Sequence, residues 1–311
     1  MSRAKMALSN PWARPRFLWV VGIGYIVWTM IPVVNAVLFS FNSTRSISTW
    51  AGFSLRWWTG DPTESLLHDP DIRSAITQSL KLSGLTTLIA VPLGVTFALG
   101  LDRWRNRGSG TVNFVMMFSF ITPELILAVS LFLLFINVFK VIGLGTTGQL
   151  LGLVTLALAY PVVIVRARLY SLGKEYEEAA MDLGSSPMQA LRRVTLPLLF
   201  PAIFASAAII FAFTLDDFVI VNQLAEDASN QTVAMFIYSA ARQAPTPAAN
   251  AVGTLMLTTS SVLIGLAYLI YKRSATRVGA ACPGHGTPCP FDPVPNLVRV
   301  RSVVSARWDA P

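Results

Sequence analysis

The most constraining feature of this sequence is a set of six long stretches composed almost entirely of apolar residues. They occupy residues 17–41, 75–101, 111–138, 149–172, 197–221 and 250–271. An α-helix needs roughly 20 apolar residues to cross the hydrocarbon layer of a bilayer, and each stretch reaches that length. The sequence therefore predicts an all-α membrane protein with six transmembrane helices.

The composition agrees with a membrane location. Of the 311 residues, 53% are hydrophobic and 13% are charged, and the mean hydropathy is +0.57. A typical soluble domain carries about 25% charged residues. The first apolar stretch follows several basic residues, as a secretory signal does, but it is longer than the hydrophobic region of a signal. We therefore expect an uncleaved anchor.

Basic residues concentrate in alternate connecting segments, which predicts the orientation of the chain. They precede the first stretch, follow the second, surround the junction of the fourth and fifth, and follow the sixth. Lys and Arg near helix ends stay on the cytoplasmic side. With six spans, both termini are therefore predicted to be cytoplasmic. Residues 1–16 form the expected N-terminal segment and residues 17–273 the expected six-helix domain.

The net charge of +8 does not indicate a nucleic-acid partner, because most of the excess lies beside helix ends, where it sets topology. Residues 274–311 are rich in proline and glycine, and we expect a disordered cytoplasmic tail. Cys282, His285 and Cys289 lie in that tail. A reducing cytoplasm disfavours a disulfide, and a zinc site normally has four ligands. We therefore expect no metal site.

The sequence lacks the motifs of an integral membrane enzyme. It contains no Gly-x-Ser-x-Gly elbow, no His-Glu-x-x-His pair and no Gly-Lys-Thr phosphate loop. Both histidines lie outside the apolar stretches. We expect neither a catalytic site nor a cofactor.

One polar segment, residues 173–197, separates the fourth and fifth apolar stretches. Four apolar residues recur there at helical spacing: Tyr176, Ala179, Ala180 and Leu183. The opposite face is mostly acidic and includes Glu177. This pattern predicts a short amphipathic helix, which Gly184 can close in the left-handed conformation. A second helix is predicted to begin with an N-cap and a capping box, formed by Ser186, Pro187 and Gln189.

Two other interpretations of this segment are a helix lying on the membrane surface and a DNA-binding helix-turn-helix. The acidic face argues against a helix that lies on anionic lipid. A DNA-binding unit needs a basic recognition helix that is free to enter a groove, whereas transmembrane spans hold both ends here.

The segment resembles the EAA signature of permease subunits of ATP-binding-cassette (ABC) importers. In chain order, the resemblance is carried by Glu178-Ala179-Ala180, Gly184, Val194 and Leu196-Pro197. It implies a type I ABC importer permease (MetI-like) fold with coupling helices at about residues 173–196 that dock on a separate ATPase. It also implies the ATPase-coupling residues: Glu178, Ala179, Ala180, Gly184, Leu196 and Pro197.

Further stretches, among them FTLDDFVI and IYSAARQAPTPAANAVGTLML, are similar to spermidine/putrescine permeases of that family. The resemblance implies an importer for polyamines in a bacterial inner membrane, with this chain as half of a heterodimeric pore. The implied partners are two copies of an ABC ATPase, a second permease subunit, an extracytoplasmic solute-binding protein and membrane lipid. The alternatives are another solute, such as an opine, thiamine or ferric iron, or an ATP-independent carrier.

Three acidic residues within the apolar stretches are candidates for the substrate pathway. Ionisable groups in spans are costly and normally face the bundle interior or a wet passage. Glu124 follows Pro123 near the expected middle of the third span, where proline can loosen the helix. Asp216 and Asp217 lie near the outer end of the fifth span and can attract a polyamine. The alternative for the two aspartates is pairing with a helix end or a partner subunit.

Two segments outside the spans carry further expectations. The tryptophans of residues 42–74, namely Trp50, Trp57 and Trp58, are expected to anchor an external loop at the membrane interface. In residues 222–249, a helical spacing of apolar residues predicts a short external helix: Val233, Phe236, Ile237 and Ala240.

Overall fold

The computed structural model describes residues 16–103, 110, 111, 114, 121–243 and 246–279. Within those residues the chain is helical, apart from turns and one isolated bridge between Asn42 and Phe53. The helices are α1 Arg16–Phe39, α2 Pro70–Arg103, α3 Glu124–Asn137, α4 Thr146–Ala157, α5 Ala159–Leu172, α6 Glu175–Asp182, α7 Pro187–Ala190, α8 Leu196–Asp216, α9 Val219–Gln223, α10 Val233–Gln243 and α11 Pro247–Gly279.

Five helical segments of the described residues are long and apolar enough to cross a membrane. They are Trp19–Phe39, Pro70–Arg103, Thr146–Leu172, Pro187–Asp216 and Pro247–Leu269. These segments match five of the six predicted spans. At the third predicted span the structure describes a shorter apolar helix, α3, of 14 residues. Most of residues 104–120 lie outside the described residues, so a sixth span stays a prediction.

Three boundaries differ from those expected from the sequence. The fourth span is interrupted at Leu158, because Pro161 has no amide proton to continue the helical hydrogen bonds. The fifth ends at Asp216, and α9 begins only at Val219. The last helix continues to Gly279, into the segment that was expected to lack regular structure from Ser274 onward. Cys282, His285 and Cys289 lie outside the described residues.

Contacts divide the chain into two compact units. The first unit consists of Met1–Lys81 and Asp216–Thr259, and the second of Leu82–Leu215 and Ser260–Pro311. The core of the second unit is formed by residues of α2, α5 and α8, among them Ala98, Val165 and Leu199. Gly94 of α2 lies against Pro161 of α5, and a Cβ at Gly94 would overlap that proline ring. The close approach of these helices therefore depends on glycine.

The first unit contains an ordered loop between α1 and α2, which we call the first loop (residues 40–69). The side-chain nitrogen of Asn42 donates to the carbonyls of Ser46 (2.8 Å) and Thr49 (2.9 Å), and its oxygen accepts from the amide of Ala51 (3.0 Å). Asn42 is fully buried. The first loop therefore has a polar centre of its own.

The expectation that all three tryptophans of the first loop anchor at the membrane surface is wrong for Trp57. Trp57 is completely buried, and its indole nitrogen donates to the carbonyl of Asn42 (2.7 Å). Its ring belongs to the core of the first unit, together with residues of α2, α10 and α11. Trp58 stacks on Phe41 with ring centres 5.3 Å apart, whereas Trp50 remains half-exposed. Packing against distant helices, rather than residue type, decides where each ring lies.

The short helix predicted after the fifth span is confirmed as α10. Its apolar residues Val233, Phe236 and Ile237 pack in the core of the first unit. The amide of Val233 donates to the buried hydroxyl of Ser79 in α2 (2.9 Å). This contact fixes the beginning of α10 on α2.

Candidate functional site

The signature segment, residues 173–197, folds into two short helices joined by a tight turn. The first helix, α6, ends at the left-handed residue Gly184, whose φ is 88°. The amide of Gly184 donates to the carbonyl of Met181 (2.9 Å), and the amide of Ser185 donates to that of Ala180 (3.1 Å). These are the two bonds of a Schellman motif. Glycine suits this position because a Cβ is strained at a positive φ.

A capping box begins α7, as the sequence predicts. The amide of Gln189 donates to the Ser186 hydroxyl (3.4 Å), and the amide of Ser186 donates to Oε1 of Gln189 (3.1 Å). Pro187 occupies the first turn of the helix. A π-helical turn, Leu191–Thr195, then leads into α8, whose first turn contains Pro197. The two short helices are therefore joined to α8 by continuous ordered backbone.

The tip of the signature segment presents apolar side chains at its surface. Leu183 is 89% exposed and Met188 is 56% exposed. Four of the predicted coupling residues are also exposed: Glu178, Ala179, Gly184 and Pro197. The remaining two, Ala180 and Leu196, are half-buried. Exposed apolar groups beside acidic ones are typical of a surface that binds another protein.

The predicted amphipathic helix is confirmed as α6, and only part of its apolar stripe is buried. Tyr176 and Ala180 are half-buried, but Ala179 and Leu183 are exposed. Helical periodicity identifies residues that share a face, but it does not establish that a neighbouring element covers that face.

Glu177, which the sequence placed on the solvated face, ties α6 to two other elements. Its Oε1 lies 2.5 Å from Nη2 of Arg103 at the end of α2. Its Oε2 accepts from the hydroxyl of Thr195, at 3.4 Å. Thr195 is buried, and the Glu177 side chain is only 26% exposed. Local sequence patterns gave no signal for this ion pair, because Arg103 lies 74 residues away along the chain.

Glu124 is the first residue of α3 and directly follows Pro123. Pro123 has φ of −58° and ψ of 129°, so the helix begins here instead of continuing from upstream. Proline also disfavours a helical conformation for Thr122, which precedes it. The sequence predicted a helix loosened by Pro123 near the middle of the third span, and the structure instead places Glu124 at the beginning of a helix. The residue is half-buried in the first turn of α3, where the helix dipole favours a carboxylate.

The adjacent aspartates at the end of α8 have different environments. Asp216 is the last residue of α8 and is exposed. Asp217 is 5% exposed, and its Oδ1 accepts from the amides of Ile220 (3.1 Å) and Val221 (3.2 Å) in α9. Pairing with a helix end, one of the alternatives for these residues, therefore describes Asp217. Of the two aspartates, Asp216 is the one whose carboxylate is exposed at the surface.

Comparison with known proteins identifies the kind of protein to which this site belongs. Residues 90–279 match the family described as binding-protein-dependent transport system inner membrane component. That range covers more than half of the chain and contains the whole signature segment. The chain belongs to this family. It is a permease of the ABC importer class, as the resemblance of the signature segment implied.

Two curated relatives cover most of this permease. The putrescine transport system permease protein PotI of Escherichia coli (strain K12) is 33% identical over 248 residues, which span 78% of this chain and 86% of PotI. The spermidine/putrescine transport system permease protein PotC of Haemophilus influenzae is 32% identical over 267 residues, which span 86% of this chain and 99% of PotC. Both relatives are transport permeases rather than enzymes.

Solved structures show the same fold for this permease. A bacterial ABC transporter involved in the import of the acidic polysaccharide alginate contains a chain with a TM-score of 0.65 and 20% identity. The match covers 88% of the permease and 99% of that chain. A chain of the MetNI methionine ABC transporter has a TM-score of 0.53 and 17% identity, and the match covers 65% of the permease. The expected fold is confirmed at the level of ABC transporter permeases.

The described residues of the permease offer two kinds of non-covalent contact. Leu183 and the exposed coupling residues of the signature segment can bind a protein surface, and the carboxylates of Glu124 and Asp216 can attract a cation. Within the described residues, no group of three or more His, Cys, Asp or Glu side chains is arranged to hold a metal ion.

Proposed function

We propose that this permease is one of two membrane subunits of an ATP-driven importer for spermidine or putrescine. The observation that carries the proposal is the signature segment, an ordered helical pair with an exposed apolar tip between two long apolar helices. Support for the substrate comes from the relatives, which are named for putrescine and for spermidine/putrescine transport.

In this proposal the chain crosses the bacterial inner membrane six times and keeps both termini in the cytoplasm. Five long apolar helices support the spans, and the sixth is assigned from the apolar sequence of residues 111–138. The basic residues at alternate helix ends set this orientation. The signature segment then faces the cytoplasm, and the first loop faces the opposite side.

The signature segment docks on an ABC ATPase, two copies of which hydrolyse ATP for the complex. Glu178, Ala179, Ala180 and Gly184 form the docking surface, and Leu183 supplies its apolar centre. Leu196 and Pro197, the first two residues of α8, transmit movement of the docked segment into that helix. Exposed apolar side chains at the centre of a protein interface contribute most when they are buried by the partner.

A second permease subunit completes the pore, and an extracytoplasmic solute-binding protein delivers the polyamine. Two solved structures of similar fold support partners of this kind: a bacterial alginate ABC transporter in complex with a periplasmic protein, and the MetNI methionine ABC transporter. Within the pore, Glu124 and Asp216 attract the ammonium groups by charge. A similar role for Asp217 stays a prediction, and its described contacts are those of a helix cap.

Uptake measurements test the proposed function. Cells that express the complete transporter should accumulate radiolabelled spermidine or putrescine, and deletion of the gene for the ATPase should abolish that uptake. Uptake that persists without the ATPase would favour an ATP-independent carrier. If the cells took up no polyamine but showed ATP-dependent uptake of an opine, thiamine or ferric iron, the proposed substrate would be wrong. The assignment as an ATP-driven importer would stand.

A further inference from the structure

Glu177 lies where three elements of the second unit meet. The residue belongs to the first turn of α6, and its two carboxylate oxygens contact different neighbours. One oxygen pairs with Arg103 at the end of α2, and the other accepts from Thr195 in the π-helical turn before α8. One side chain therefore links the predicted docking helix to the two long helices α2 and α8.

Helix electrostatics favour this ion pair. Arg103 lies in the last turn of α2, where the partial negative charge of a helix C-terminus attracts a cation. Glu177 lies in the first turn of α6, where the partial positive charge of a helix N-terminus attracts an anion. Each helix end therefore stabilises its own member of the pair.

The backbone between α7 and α8 departs from regular α-helical hydrogen bonding. The amide of Leu196 donates to the carbonyl of Leu191, five residues back, which is the wider spacing of a π-helix. Pro197 follows and has no amide proton to donate. A cavity of about 630 Å³ lies beside α6 and includes Leu101, Tyr170 and Leu198 in its lining. The contacts of Glu177 therefore lie between a π-turn and a cavity, where they add to the packing of α6.

We propose that Glu177 is a positioning residue that makes α6, α2 and the start of α8 move as one body. This inference rests on the proposed function, since it concerns how movement of a docked α6 reaches the transmembrane helices. The Arg103–Glu177 pair carries the movement to α2, and the Thr195–Glu177 hydrogen bond carries it across the π-turn to α8. Without the ion pair, movement of α6 with the bound ATPase is no longer transmitted fully to α2.

The test uses the complete transporter, reconstituted in proteoliposomes with its ATPase and its solute-binding protein. Glu177→Gln keeps the size of the side chain and an acceptor for Thr195, but removes the ion pair. We expect the amount of radiolabelled spermidine or putrescine imported per ATP hydrolysed to fall about two- to fivefold, the range that a partly exposed ion pair supplies. Co-purification of the ATPase and the KM for ATP should remain at wild-type values.

Matched variants distinguish a positioning role of Glu177 from a non-specific loss of structure or charge. Arg103→Ala should lower the same ratio, and the double variant should fall no further than either single variant, because both remove one interaction. Glu177→Arg combined with Arg103→Glu should recover part of the loss. Glu175→Gln removes the same charge from an exposed position in the same helix, and it should leave the ratio unchanged.

Two results would overturn the inference. The first is additive losses in the double variant, and the second is an unchanged ratio in Glu177→Gln. In both cases the ATPase would still co-purify, so the proposed function would stand. A wild-type permease that fails to bind any ATPase would instead refute the proposed function itself.

Discussion

The signature segment and the first loop both connect long helices, and both contain large apolar side chains, but they place them in opposite ways. Leu183 at the tip of the signature segment is 89% exposed, whereas Trp57 of the first loop is completely buried. The difference indicates that the first loop completes its own core, while the signature segment leaves an apolar surface for another protein.

Polar groups follow the same division. In the first loop, Asn42 and Asp61 are buried, and both form hydrogen bonds with neighbouring groups of the same loop. In the signature segment, Glu178 and Asp182 are exposed, and Glu177 alone of the acidic residues in α6 has an ion pair among the described residues. The buried side chains of Asn42 and Asp61 therefore hold the first loop together, whereas the exposed carboxylates of the signature segment are available for binding.

The largest expected effect tests the buried side of this comparison. Trp57→Ala should destabilise the permease by about 3–5 kcal/mol, because it empties a fully buried ring position. It also removes the donor to the carbonyl of Asn42. The measurement is thermal unfolding of the detergent-solubilised permease, followed by the loss of monodisperse protein with temperature.

Trp50→Ala is the matched control for that prediction. Trp50 lies in the same loop and is 49% exposed, with an edge-on contact to Phe39 at 6.1 Å. Its removal should cost about 1 kcal/mol or less, as expected away from a buried core. Equal destabilisation by the two substitutions would show that the first loop has no core of its own.

The exposed side of the comparison is tested by Leu183→Ala. Truncation of an interface centre costs more than about 1 kcal/mol, so affinity for the ATPase should fall at least fivefold. The free energy of unfolding of the isolated permease should stay within about 0.5 kcal/mol of wild type, because the Leu183 side chain buries little surface there. Titration of the ATPase onto immobilised permease measures the affinity.

Leu67→Ala provides the control, since Leu67 is 58% exposed but belongs to the first loop. The proposed topology puts it on the opposite side of the membrane from the ATPase, so this substitution should leave the affinity unchanged. If Leu183→Ala destabilised the isolated permease as much as Trp57→Ala, the two regions would not differ in the way described.

Local signals in the sequence predicted the signature segment well. The left-handed Gly184 and the Ser186–Gln189 capping box each depend on residues within five positions of one another, and the structure confirms both. Long apolar stretches predicted six spans, and the described residues contain five of them; helix length and hydropathy are local properties.

Contacts between distant residues were the part that the sequence did not reveal. Burial of Trp57 depends on α2, α10 and α11, and the position of Glu177 depends on Arg103, 74 residues earlier. No periodicity within a segment encodes which remote helix will cover a face. The same limit applies to Leu183, which the sequence places on an apolar face and the structure shows to be 89% exposed.

The smallest expected effect concerns the polar centre of the first loop. The amide of Thr63 and the guanidinium of Arg56 hold the pKa of Asp61 well below its usual range. A carboxyl group with a lowered pKa stabilises the fold fully above its unfolded pKa of about 3.9, and that contribution is lost as the pH falls through the folded pKa. Asp61→Asn should therefore weaken the loop at neutral pH.

Hydrogen exchange of peptides within residues 56–66, compared between variant and wild type at each pH, measures this contribution. Exchange should be faster in Asp61→Asn at pH 7, and the two proteins should converge as the pH is lowered below about 3.9, where the wild-type carboxylate progressively loses its advantage. Asp71→Asn, at an exposed aspartate in the first turn of α2, should leave these peptides unchanged. A difference between Asp61→Asn and wild type that persisted undiminished under strongly acidic conditions would mean that the shape of the side chain, and not its charge, orders the first loop.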